Sequence, residues 1–364
     1  MAALAVSTLT ASAQSVVPKW INNVKLSGFG IVQYTYNGQE NNESNSFNLR
    51  LARLALDGRA FDDWYWKAQI QFNGNTSTLG SSPKLVDLFI EWQKYDFLRV
   101  KAGQFKNPFT YENPMHPIDQ GFMSYSQVIS KFAGFSDRAG AHSSNGRDIG
   151  VQLQGDFLKN ASGRNLIHYQ VGVFNGQGIN VKDVDQQKNI IGGAWVMPVE
   201  GMRLGAFGWI GSYARKGTSA SEGITTLRRL QQRRYAFSAE YKVDDWTFRS
   251  EYVHSTGYAF AKAMVNTNDA SAKDITLSSN GDKSQGVYAL VIAPIIKKKC
   301  HAKARYDMYQ PSKGAEKQRT QYEIGLDYYF NKNICLTGEY AYIHDRALAD
   351  PNYSMIDVEL SYRF

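Results

Sequence analysis

The sequence predicts an all-β fold, a transmembrane antiparallel β-barrel of about 16 strands with one long loop folded into its lumen. Three observations carry this. First, Ile356, Val358, Leu360, Tyr362 and Phe364 alternate strictly with Asp357, Glu359, Ser361 and Arg363. Side chains on a strand point alternately to opposite faces, so this segment has one apolar face and one wet face. Second, none of the 364 residues lies in an apolar run approaching the roughly 20 residues of a spanning helix. Third, the chain holds 22 Tyr, 19 Phe and 31 Gly but only 9 Pro, without helix-length periodicity; such a composition favours strands. A strand that faces lipid can leave no open edge, so the whole chain must close on itself.

The elements follow in order. Met1–Ala13 reads as the tail of a signal peptide, a short apolar run ending in the small-x-small pattern Ala11-Ser12-Ala13. Residues 14–364 then form the barrel. Strand 1 is expected at about Lys25–Tyr36 and strand 2 at Phe47–Ala60. Strand 3, Trp64–Asn73, sets Trp66, Ala68, Ile70 and Phe72 against Lys67, Gln69, Gln71 and Asn73. Strands 4 and 5 occupy about 84–94 and Leu98–Lys106, and strands 6 to 9 are expected at Arg147–Leu158, Leu166–Asn175, Asn189–Met197 and Met202–Tyr213. A cationic run (Arg228, Arg229, Arg233, Arg234) is placed at the end of the following loop, leading into strand 10, Arg234–Val243. Strands 11 to 16 are expected at Trp246–Thr256, Gln285–Pro294, Cys300–Gln310, Thr320–Phe330, Ile334–His344 and about 353–364. Short turns fall at one end and longer loops at the other, as membrane barrels require. Asp62-Asp63-Trp64 and Asp244-Asp245-Trp246 repeat a turn motif that would anchor a Trp at the membrane interface. The two cysteines, Cys300 and Cys335, start strands that are next-nearest neighbours, roughly 9–10 Å apart. That is beyond disulfide reach, so no bond is expected.

One connection stands out. Residues 107–145 exceed the roughly 12–15 residues of an ordinary loop, and they carry Phe109, Tyr111, Phe122, Tyr125, Phe132 and Phe135. Aromatic residues in a loop imply packing, and within a wide barrel the available surface is the inner wall. Gly103-Gln104-Phe105-Lys106-Asn107-Pro108-Phe109, the strand Phe47–Gly58 with Arg50 and Arg53, and Asp148-Ile149-Gly150-Val151-Gln152-Leu153 together resemble the phosphate-selective porin O/P family. The resemblance implies a sixteen-stranded outer-membrane porin, usually a homotrimer, whose third extracellular loop constricts the pore. It also implies small anionic solutes, phosphate or polyphosphate among them.

Charge adds a direction. The balance of 41 Lys+Arg against 33 Asp+Glu gives +8, a modest pointer to anions. Lumen-facing parity collects bases such as Lys67, Lys101, Arg249, Lys303 and Arg305, and acids such as Asp87, Glu91, Glu251, Glu323 and Glu339. Arg53, Lys106, Lys131, Arg138 and Arg147 are the expected constriction residues, because charge in a narrow passage concentrates counter-ions. No catalytic residue, metal or other cofactor and no nucleic-acid partner is expected. The six His residues lack metal-ligand spacing, and Ser250 with His254 is the one Ser–His pair on a shared strand face. The partners expected are membrane lipids, with lipopolysaccharide phosphates against the cationic run. A passive diffusion channel is the first reading, and a non-conducting barrel serving as adhesin or anchor is the alternative.

Overall fold

The computed structural model describes residues 18, 20–73, 83–138, 144–218, 225–257 and 283–364, with short pieces at 259–260, 270–271 and 277–278. The expected signal-peptide tail lies outside the described residues.

Sixteen strands run in chain order: β1 (Ile21–Asn37), β2 (Ser44–Ala60), β3 (Trp64–Gln71), β4 (Lys84–Tyr95), β5 (Leu98–Lys106), β6 (Arg147–Lys159), β7 (Asn165–Phe174), β8 (Asn189–Val196), β9 (Met202–Thr218), β10 (Thr225–Val243), β11 (Trp246–Thr256), β12 (Lys283–Ile296), β13 (Cys300–Gln310), β14 (Arg319–Asn331), β15 (Ile334–Asp345) and β16 (Asn352–Arg363). Each pairs antiparallel with the next, and β1 pairs with β16 from Phe29↔Arg363 to Asn37↔Met355. The sheet is therefore closed, and its edges are satisfied as a bilayer demands. Gly28 and Phe364 finish the seam with two backbone hydrogen bonds of 3.1 and 3.0 Å. Ala270–Ser271 adds a short parallel pairing beside β9.

The alternation read from the sequence is the alternation of the wall. On β14, Tyr322, Ile324, Leu326 and Phe330 are each more than half exposed on the outer face, while Gln321, Glu323 and Asp327 are buried on the inner one. Both cysteines are free thiols.

Two details differ from the sequence reading. Arg228 to Arg234 lie within a strand, because β10 begins at Thr225 and pairs with β9 as far as Thr218. The alternation of buried Leu230, Gln232 and Arg234 with exposed Arg229, Gln231 and Arg233 is the strand signal that the charge density obscured. The repeated Asp-Asp-Trp is also two different turns. Val243 pairs with Trp246 across a two-residue turn in which Asp244 and Asp245 both have positive φ, 45° and 76°. Ala60 pairs with Trp64, so the first turn holds three residues, and its positive φ values are at Phe61 and Asp62. Both place an exposed Trp at the strand start, Trp64 and Trp246 being 38% and 39% exposed.

The candidate constriction site

The segment between β5 and β6 is built to pack. Phe109, Tyr111, Phe122, Val128, Ile129 and Phe132 are almost wholly buried, in one cluster with the inward-facing Phe207, Trp209, Tyr288 and Tyr309 of the wall. One helix among the described residues, α1 (Gln127–Phe132), starts at Ser126, whose hydroxyl accepts from the Ile129 N–H. Tyr111 stands edge-on to Trp195 and Phe207, with ring centroids 5.6 and 5.5 Å apart. Its hydroxyl comes so close to Gly205 that an added Cβ would lie 2.6 Å from it. Gly205 is therefore glycine for reasons of approach.

Buried loop backbone needs partners, and charged side chains of the wall supply them. Glu251 on β11 accepts the Tyr111 and Glu112 N–H groups at 2.6 and 2.9 Å. Asp307 on β13 accepts from the Gln127 N–H at 2.7 Å, and Glu339 on β15 accepts from the Met123 N–H at 2.9 Å. Loop carbonyls are met in turn by Arg234 (Phe132, 2.6 Å), Arg249 (Gln120, 2.8 Å), Lys303 (Gly121, 2.8 Å) and Arg305 (Ser124, 3.0 Å). These bases also pair with wall acids, Arg249 with Glu240 at 2.8 Å and Arg305 with Glu323 at 2.6 Å. The charges of β10 to β15 thus hold the loop, and much of the mixed sign seen along the lumen is structural.

The opposite side of the loop faces a cavity of about 300 Å³ against β2 to β7. Here the signs are unequal. Arg53, Lys67, Lys101, Lys106 and Arg147 line it, with Asp87 as its one carboxylate. Arg147 grips Asp87 through two bonds of 2.6 and 3.1 Å, and Lys101 lies 3.5 Å from Glu91. The Lys106 ammonium spends three hydrogen bonds on the loop, to the carbonyls of Asn113 and Met115 and to the Tyr125 hydroxyl, at 2.6 to 3.0 Å. Arg53 gives its Nε to Gln71 at 2.9 Å and lies over the Phe29 ring. Lys67 lines the cavity half-buried. Arg53, Lys67 and Lys106 form no ion pair within 4 Å among the described residues, so their charge is uncompensated at contact range.

Three of the five expected constriction residues, Arg53, Lys106 and Arg147, therefore share this cavity. The other two do not line it. Lys131, on α1, sits over the Tyr309 ring at 5.9 Å, and burial, with Arg319 adding to it, lowers its affinity for a proton below that of an ordinary lysine. Arg138 is buried and donates to the side-chain oxygen of Gln232 at 3.2 Å. Lys67 and Lys101 belong to the cavity as well. Their strand parity already marked them as lumen-facing, but parity cannot say which arc of the lumen the loop leaves open. On the remaining Ser–His pair, the Ser250 hydroxyl donates to the Tyr288 carbonyl at 2.8 Å, and His254 stacks on Tyr235 with centroids 5.1 Å apart. Each has its own partner.

Comparison with known proteins agrees with this geometry. Residues 27–186 match the family model of phosphate-selective porins O and P. Curated protein sequences return no match. Among solved structures, the barrel is similar to the trimer form of OmpT, an outer-membrane protein of Vibrio cholerae, with a TM-score of 0.59 at 12% identity, covering 94% of this chain and 99% of that one. It is also similar to the outer-membrane channel DcaP of Acinetobacter baumannii, with a TM-score of 0.60 at 13% identity, covering 94% and 97%. An anion-selective porin from Comamonas acidovorans gives a TM-score of 0.61 at 14% identity, covering 94% and 99%. A closed barrel with an apolar outer face and the phosphate-selective porin O and P match over residues 27–186, through β1 to β7, support a passive diffusion channel in the bacterial outer membrane.

Proposed function

We propose that the channel passes small hydrophilic solutes with a preference for anions, and that it works as a homotrimer in which each barrel is a separate pore. The observation that carries the preference is the set of three uncompensated cations, Arg53, Lys67 and Lys106, on the open side of the loop. A cationic lining in a narrow passage of low dielectric raises the local concentration of anions and repels cations. Arg147 and Lys101 add to the field although each faces a carboxylate. Lys131 and Arg138 act more weakly, from beyond this cavity. Phosphate and polyphosphate are candidate permeants. The trimer is supported by the assembly named for the Vibrio cholerae protein, and outward Arg233, exposed on β10, is suited to lipopolysaccharide phosphates.

The test is single-channel current from refolded protein in a planar bilayer under a salt gradient. Steps in multiples of three with a reversal potential of anionic sign are expected. A cationic sign would overturn the charge assignment. A folded barrel that carries no current would favour the adhesin or anchor instead.

A further inference from the structure

We propose that the cationic cavity is a binding subsite for a hydroxylated anion of monosaccharide size, in which Arg53 and Lys67 hold the anionic group and Gln69, Gln152 and Gln170 hold hydroxyls. This rests on the anion-preferring channel proposed above and specifies what that channel selects. The first argument is a count of free donors. Lys106 has committed its ammonium hydrogens to the loop, and Arg147 has committed three of its five guanidinium N–H groups to Asp87 and the Asn145 carbonyl. Among the described residues, Lys67 has no hydrogen-bond acceptor, and Arg53 has one only at Nε. With Lys101, whose acceptor is Glu91 at 3.5 Å, these are the cations with most donors left for an arriving anion, while Lys106 contributes charge alone.

The second argument is the neutral part of the lining. Gln152 donates from Nε2 to Gln154 at 2.7 Å, but its Oε1 is buried without a partner. A buried acceptor left unpaired calls for a donor. Bare phosphate is rich in acceptors and poor in donors, so it suits the cations and not this oxygen. A polyol carrying an anionic group suits both. The Gln69 and Gln170 amides also line the cavity, and neither is engaged in a side-chain hydrogen bond among the described residues. Amides accept from and donate to hydroxyls in equal measure. The third argument is shape. Phe89 and Phe105 lie edge to face, 5.9 Å apart, between Lys67 of β3 and the glutamines of β6. The Lys101 ammonium lies 5.0 and 5.4 Å from their centroids, and half-buried Phe89 gives the cavity an apolar edge for the C–H face of a sugar ring. The cavity volume of about 300 Å³ accommodates one such ring with its substituent.

The experiment is a conductance titration of the full protein in planar bilayers, at low potassium chloride, with glucose 6-phosphate, gluconate, glucose and inorganic phosphate as blockers. Glucose 6-phosphate, gluconate or both are expected to half-block at a concentration about tenfold below that of phosphate and of glucose; their order tells a phosphorylated sugar from a sugar acid. Gln152→Leu should raise the half-blocking concentration of the hydroxylated anion by about three- to tenfold and leave that of phosphate unchanged, with heat-modifiable electrophoresis verifying that the variant is folded. Lys67→Gln should weaken the block by every anion. If phosphate alone blocks as well as glucose 6-phosphate and gluconate, or if none of the four blocks, the subsite is overturned even when the reversal potential is anionic. A cationic reversal potential instead overturns the channel reading on which the subsite depends.

Discussion

The two faces of the long loop use the same residue types to opposite ends. Toward β9 to β13, aromatic rings fill the lumen, and arginines, lysines and carboxylates are consumed by loop backbone and by one another. Toward β2 to β7, Lys67 is half-buried, and Arg53, buried beside Gln71, meets no carboxylate within 4 Å among the described residues. The loop contributes little there beyond Pro108, Met115 and its neighbours. A lumen charge is therefore structural or selective according to whether the loop lies on it. A sum over the whole lumen hides this, because it adds the acids that hold the loop, such as Glu251, Asp307 and Glu339, to those that face the cavity.

The largest effect should come from breaking the packed face. Phe132→Ala removes a wholly buried ring from the cluster, and should cost about 3–5 kcal/mol. The lower denaturant midpoint should come with larger, noisier single-channel conductance as the loop loosens. Next is Glu251→Gln, which keeps the shape but turns an acceptor-only group into one with two donors facing the N–H groups of Tyr111 and Glu112. A loss of about 1.5–3 kcal/mol is expected, read as more frequent closures with the mean selectivity nearly intact.

The open face should answer differently. Arg53→Gln with Lys67→Gln should cut the anion-to-cation permeability ratio by about two- to fivefold without a change in denaturant midpoint. Lys131→Gln with Arg138→Gln should shift it less. If the second pair shifts it more, the division between the faces is wrong.

The smallest effect concerns pH. His116, at the loop tip, stands edge-on to Phe29, centroids 4.4 Å apart, and burial, opposed by Asp119, lowers its pKa from 6.5 to about 4. The folded protein then binds fewer protons than the unfolded chain between about pH 6.5 and 4, so this residue's contribution to stability falls as pH drops through that window. His116→Gln should flatten that part of the pH–stability curve slightly.

The barrel was legible in the sequence because period-two alternation survives wherever one side of a strand meets lipid: β14 and β16 can be read residue by residue. The run around Arg228–Arg234 was harder, since β9 and β10 pair past the apolar segment, where no lipid imposes the alternation. The site was legible in part. Strand parity puts Lys67 in the lumen and the inward loop brings Lys131 there, and only the fold of that loop separates them. Gln69 and Gln152 gave no signal, because an uncharged amide on an inner wall looks like ordinary wetting.

The seam between β1 and β16 has a consequence for assembly order. Phe29 pairs with Arg363, so the ring cannot close until nearly the whole chain is available, which makes closure a late and slow event. Two of the loop's moorings, Glu339 to the Met123 N–H and Arg363 to Asp119 at 2.8 Å, come from the last two strands. Until those strands arrive, the loop is held by the middle of the chain alone. A barrel lacking β16 should therefore expose residues 113–123 to protease, whereas the closed one protects them. Closing the wall and setting the pore width are one step in time.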